Sequence, residues 1–487
     1  MNTFRRKSLY AALAGVSALG AGAAHAVNVN PDGLGQVLIY PYYTTRADAN
    51  GNTFNSLLSV VNTTATAKAV KVRFLEGKDS LEVLDFNLFL SPFDVWTTAI
   101  IPSPSGNGGG RITTTDKSCT LPIIPAAGQD FVNYAYTSDG GGSTLDRTRE
   151  GYVEIIEMAT YLPTTVTATR ITHVAGVPPG CATNNDTQAS ADASSPLGGL
   201  MGSISLVNVN AGSDMTENPT ALDNFYTAPG NLYAVAGLPQ PSLTQVSPPT
   251  SVVFNGTAGV YQSAWPVTAT ATGAPIDAVS AVLMHDAVLN EYVLDTLTKS
   301  GTDWVITMPT KRFYINVGTG NAPRLFQRNF NGTAGACDDV TLNIYDREEQ
   351  TTNAPQTFSP PPPTQTNALC WEANVVTFTG PGGAPAVLGS VNTANLNTNN
   401  QNGWERIGFP TVPLLNVNAH YLANGATTVI PLAGASVTGS RTYFGLPVIG
   451  FAVQTFTNGT LTVGAATNVL SNYGGNFDHK YTRSILP

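Results

Sequence analysis

The chain has 487 residues, carries a net charge of -9, and only 11% of its residues are charged. An average soluble protein is about one quarter charged, so solubility here rests on Thr, Asn, Ser and Gly. Its 23 Lys and Arg are spread over the whole length, which argues against nucleic acid as a partner, because phosphate binding needs clustered cations.

The first residues divide as a secretion signal does. Arg5, Arg6 and Lys7 form a basic start, an apolar run extends from Leu9 to Ala24, and Ala24-His25-Ala26 offers the small residues that a signal peptidase accepts. Residues 1–26 are therefore expected to be a signal peptide cut after Ala26, placing the mature chain in the periplasm, at the cell surface or outside the cell. No later apolar run is long enough to cross a bilayer as a helix.

Short runs of alternating apolar and polar residues dominate the mature chain, the signature of half-buried strands. Val70, Val72 and Phe74 interleave with Lys71 and Arg73; Leu84, Phe86 and Leu88 with Asp85 and Asn87; Phe313, Ile315 and Val317 with Arg312, Tyr314 and Asn316; Val340, Leu342 and Ile344 with Thr341, Asn343 and Tyr345. One face of each is expected to be buried and the other wet. Val37-Leu38-Ile39-Tyr40 and the run from Val448 to Val453 read instead as central strands covered on both faces. Helical periodicity is scarce, and its best candidates are Pro219 to Tyr226 and Ala465 to Leu470. Long polar loops are expected at Ser103–Gly110, Ser138–Ser143, Thr183–Ser195 and Asn392–Gly403.

The predicted class is all-β: two tandem antiparallel β-sandwich domains of immunoglobulin-like character, spanning 27–240 and 241–487, with a seam at the proline clusters from Leu238 to Pro249. Cys119, Cys181, Cys337 and Cys370 fall two and two in these halves, and in an exported chain an even number favours disulfides over metal ligation. The expected bonds are Cys119–Cys181 and Cys337–Cys370.

Chemistry is harder to find. His173, His285, His420 and His479 form no HExxH or HxH pattern, there is no GxSxG elbow, and no cofactor is implied. Lys78-Asp79-Ser80-Leu81 resembles a lipase block but lacks the glycine where it is required, and a hairpin turn explains it better. His285-Asp286 reads as an edge or turn feature, since neighbouring strand residues point to opposite faces. Asp48-Ala49-Asn50-Gly51-Asn52 alternates oxygen ligands as a calcium loop does, yet its glycine comes too early, and a plain hairpin loop is favoured. Glu154, Glu157, Asp346, Glu348, Glu349, Glu372 and Glu405 are the carboxylates from which a glycosidase pair could be drawn. Glu154 and Glu157 should face opposite ways on one strand, and Asp346 to Glu349 reads as a solvated turn. Trp304, in phase with Ile306 and Met308, reads as core, whereas Trp404 lies in a polar stretch and is the better surface residue. The run Ser359-Pro360-Pro361-Pro362-Pro363 would form an extended polyproline loop between Cys337 and Cys370. Trp404, Pro360 and Pro361 are thus the candidate partner contacts.

Several segments together carry a resemblance: VLIYPYYTT from Val37, AVKVRFLEGKDSLEVLDFNLFLSPFDVWT from Ala69, GYVEIIEM from Gly151, TDWVITMPTKRFY from Thr302, LCWEANV from Leu369 and SNYGGNFDHKY from Ser471. They resemble a family of exported proteobacterial proteins of unassigned function, over most of the mature chain. The segments name no catalytic group, so the resemblance carries over no functional residue. The short polar turn Asn62-Thr63-Thr64 between two strands also resembles immunoglobulin-like sandwiches of bacterial surface proteins, a likeness of fold only. The expected role is that of a non-catalytic secreted or surface protein acting by contact with other surface proteins, glycans or its own copies; a glycan-binding module and a carboxylate hydrolase are the alternatives.

Overall fold

A computed structural model of the chain describes residues 25–137, 139–265, 274–315, 325–326, 328–349, 358–359, 367–380, 382, 385–410, 419–432, 435–464 and 466–487. Strand accounts for 49% and helix for 11%, so the protein is mostly β. Its ladders are antiparallel, apart from the parallel pairing of Ala373–Thr379 with Thr393–Asn397 and isolated bridges. The signal segment lies outside the described residues except for His25 and Ala26.

Residues 28–223 form two facing sheets. The first runs in the order Asn28–Val29, Thr220–Asp223, Val37–Thr44, Glu150–Tyr161, Ala67–Glu76, Glu82–Leu90, Cys119–Leu121. The second runs Ser213–Glu217, Leu200–Asn208, Asn55–Asn62, Val95–Pro102, Gly110–Thr113, Gln129–Asp130. Alternation decides what lies between them: Val70, Val72 and Phe74 from one sheet meet Leu58, Val60 and Trp96 from the other in a single apolar core.

The opposite face of the first sheet is not wet, contrary to the alternation. Every residue of Val37–Thr44, Ala67–Glu76 and Glu150–Tyr161 is buried. On that face Val37, Ile39, Tyr152 and Ile156 join a core shared with Trp304, Ile306 and Met308 of the second half. Lys71 is covered by the segment before the proline seam: its ammonium donates to Asp85 Oδ2 at 3.0 Å and to the Val235 and Leu238 carbonyls.

The second half builds a six-stranded sheet containing Gly301–Thr307 and Ile449–Val463, and two five-stranded sheets. One of these holds Ala287–Val293, Asp338–Asp346 and Asn402–Gly408; the other holds Thr250–Phe254, Tyr421–Ile430 and Ser484–Leu486. A two-stranded ladder, Met284–His285 with Leu446–Pro447, completes it. The strand Gly301–Thr307 faces both ways: Trp304 and Ile306 enter one core, while Val305 packs with Tyr42, Leu206 and Met215 of the first half.

Several expected elements differ. The helix expected near Pro219 is the strand Thr220–Asp223, held between Asn28–Val29 and Val37–Thr44. The one near Ala465 is the start of Ala466–Asp478, where β-branched Thr467 and Val469 suit a hairpin. Arg312–Ile315, expected extended, is a helical turn that buries Tyr314 and Ile315; Val317 lies outside the described residues. The Thr183–Ser195 loop contains the helix Asp186–Asp192, capped by the Asn185 side chain accepting from Gln188 N–H. Asn392–Gly403 contains the strand Thr393–Asn397, and Asn392 is buried. The helix Ala274–Leu283 was not expected, because it buries Ile276, Val279, Val282 and Leu283 together with Ala278 and Ala281 and so shows no polar stripe. No described helix is long and apolar enough to cross a membrane.

Cys119–Cys181 and Cys337–Cys370 are both bonded, as the two-and-two distribution implied. Replacing Cys119 and Cys181 together by Ser should lower the unfolding free energy by about 4 kcal/mol, from the loop of 62 residues that the bond closes; denaturant titration reads the loss. A second test concerns the charge inside the sandwich. Lys68 Nζ lies 2.6 Å from Glu157 Oε1 with both side chains fully buried, and Glu157 also accepts from the Leu197 and Gly198 amides. Lys68→Met leaves that carboxylate without its counter-ion and should cost about 3 to 5 kcal/mol in the same titration.

Candidate functional site

Of the carboxylates singled out by sequence, Glu154, Glu157, Glu372 and Glu405 are buried and the others lie in a surface turn. Glu154 and Glu157 do face opposite ways: Glu154 Oε2 meets Arg73 at 3.3 Å and Arg312 at 3.4 Å between the halves, while Glu157 sits with Lys68 on the sandwich side. Burial pushes the Glu157 carboxyl up, against the pull of Lys68. Glu372 is fully buried and accepts from the Ser80 hydroxyl, which in turn accepts from Tyr152 Oη at 2.7 Å. Burial, and then the neighbouring Asp79, push Glu372 well above the usual carboxylate range. Glu405 is also pushed well up by burial. Glu348 and Glu349 are exposed beside the half-buried Asp346, whose carboxylate accepts the Glu348 amide in a turn.

Ser80 shows why a lipase-like string need not be a nucleophile. It occupies the hairpin turn between Ala67–Glu76 and Glu82–Leu90, with φ at +53°, and is 3% exposed. The Glu76 carboxylate shapes the turn by accepting the amides of Lys78, Asp79 and Leu81. The hydroxyl therefore faces Glu372 and Tyr152 inside the contact between the halves.

The Asp48 loop is likewise a capped turn. Asp48 Oδ1 accepts the Asn50 and Asn52 amides at 2.9 Å, and Oδ2 accepts the side chains of Asn52 and Asn208. Donors thus surround the oxygens that a cation would need. His285 is buried and stacked on Tyr481 at 4.0 Å, with Asp286 on the opposite side bonded to Thr482.

Two further features lie at the surface of the described residues. A cavity of about 510 Å³ lies where the halves meet, lined by Asn30, Asp32, Glu217, Thr220, Asp478 and Tyr481 among others. Glu217 accepts from Asn476 Nδ2 at 2.8 Å. Burial first, and then Asp478, push its carboxyl up to about 7. His479 at the cavity wall is held neutral: burial lowers its imidazole to about 3, and its Nε2 bonds the Val305 carbonyl at 3.0 Å. A carboxyl near neutrality beside a second acid can give or take a proton. Sequence reasoning missed Glu217 because it sits in an ordinary turn-like run, Glu217-Asn218-Pro219, and meets Asp478 only through the fold.

The second feature is Trp404. It is 38% exposed on the outer face of its sheet and stacks on Tyr345, its cross-strand partner, with centroids 4.3 Å apart and planes at 12°. That contact covers one face of the indole, so the ring stabilises the ladder as well as meeting solvent. Trp96, Trp265 and Trp304 are buried. Pro360 and Pro361 lie outside the described residues. Compared with protein-family models, curated proteins and solved structures, the chain matches none.

The cavity acid has a pH signature. Its folded pKa, near 7, exceeds its ordinary value of 4.5, so the stability it contributes is full below about pH 4.5 and is lost as pH rises through 7. Glu217→Gln keeps an acceptor for Asn476 and should gain on the wild type between pH 5 and 8, by at most about 3 kcal/mol. Unfolding curves for both proteins that stay parallel over this range would contradict the assignment.

Proposed function

We propose that the protein is an exported, non-catalytic surface protein that acts by contact, built as two sandwich halves of immunoglobulin-like character joined near residue 240. The observation that carries this reading is the contrast between inside and outside. Acidic and basic side chains form internal pairs such as Lys68–Glu157, Arg73–Glu154 and Lys311–Asp338, while large apolar side chains such as Phe93, Tyr134 and Trp404 stand exposed. Interior ion pairs and two disulfides suit a chain that must hold its shape in an oxidising compartment. The resemblance to exported proteobacterial proteins supports the same location.

A second reading, contact with glycan, draws on the exposure of Trp404, since one indole face can stack on a sugar ring. A third, carboxylate chemistry, draws on Glu217 and Asp478 in the cavity between the halves. Turnover of a glycoside panel that Glu217→Gln abolishes would replace contact with catalysis.

Fractionation of producing cells tests the main reading. The chain should be found outside the cytosol with Val27 as its first residue, and imaging of intact cells should place it on the surface. Recovery of the full-length precursor among cytosolic enzymes would overturn the proposal.

A further inference from the structure

The hairpin Ile449–Val463 with Ala466–Asp478 closes one side of the six-stranded sheet, and Ala466–Asp478 pairs with no other strand among the described residues. Its inner part is anchored: Phe451 to Gln454 are buried, Asn472 Nδ2 donates to the Ala211 carbonyl at 2.8 Å, and Asn476 Nδ2 donates to Glu217. Its outer part stands free, with Val463 59% and Val469 39% exposed, and Tyr473 61% exposed at its base.

The arm lacks the usual protection of an exposed edge. Between Arg441 and Asp478 there is no acidic or basic residue, and between Ile449 and Asp478 there is no proline. Proteins blunt free edges with Lys, Pro or cover, because unpaired backbone amides and carbonyls recruit another strand. Of those devices this edge has only the irregular register near Thr457–Val463.

We propose that the outer part of Ala466–Asp478 pairs, antiparallel and about a two-fold axis, with the same strand of a second copy of this chain. This deepens the contact role proposed above and rests on it. The choice of partner comes from charge. Two mature chains, which lose Arg5, Arg6 and Lys7 with the signal and so carry -12 (-9 - 3), repel each other, and the arm is a neutral element through which they can meet. A strand without charge has no means to select a charged partner, whereas an identical neutral edge matches it in length and pattern. Antiparallel pairing of identical strands generates a closed two-fold contact.

Sedimentation equilibrium of the purified mature chain tests this, with Val469→Lys and Thr467→Glu as arm variants and Ile123→Lys as a control on an exposed site elsewhere. The wild type and the control should form a dimer whose association strengthens with salt, as repulsion between the acidic bodies is screened. Both arm variants should weaken it by about tenfold or more, with unchanged unfolding midpoints. A wild type that stays monomeric at high concentration overturns the proposal, as do arm variants that associate like the wild type or an association that weakens with salt. None of these outcomes touches the surface location, which fractionation decides separately.

Discussion

The rest of the structure depends on three central strands of one sheet that have no solvent face. Val37–Thr44, Ala67–Glu76 and Glu150–Tyr161 are buried on both sides, one side by the companion sheet and the other partly by the second half of the chain and partly by the helices Val166–Ile171 and Asp186–Asp192 and the stretch from Leu232 to Leu238. A sheet in that position can tolerate charged side chains only if each meets a partner, because an unpaired buried charge costs several kcal/mol. Arg73, Glu154 and Arg312 satisfy that condition across the contact, and Lys68 with Glu157 satisfies it within the sandwich.

This arrangement ties the two halves more closely than a flexible linker would. Val37, Ile39 and Ile156 share one core with Trp304 and Ile306, and Thr307 Oγ1 donates to the Pro41 carbonyl at 2.6 Å. Even the first residue after the expected cleavage point takes part: Val27 N–H donates to the Thr250 carbonyl at 2.9 Å and pairs with Ser251. The cavity that holds Glu217 exists because the halves meet there, and the free hairpin emerges where their contact ends.

Strand alternation made the sandwich core legible from sequence, and Val70, Val72 and Phe74 point where their spacing put them. Alternation could not distinguish a charge facing water from a charge facing another charge, which is why Lys71 and Arg73 were expected to be wet. The same limit hid the helix Ala274–Leu283, whose burial on all sides erases the polar stripe that marks a surface helix. Trp404 was recognisable as a surface residue from its polar neighbours, but its stack on Tyr345 depends on strand register, which the local sequence does not carry. Glu217 and Asp478 are far apart in the chain, and their meeting is a property of the fold alone.

Hydrogen exchange on the purified protein, followed by mass spectrometry, tests the doubly covered sheet most directly. The amides of Glu150–Tyr161 and of Gly301–Thr307, on opposite sides of the contact, should be the slowest in the molecule and exchange together in a single global unfolding event. Separate opening, with one of these strands exchanging rapidly while the other stays protected, would show that the halves fold independently and that the shared interface does not hold the structure together.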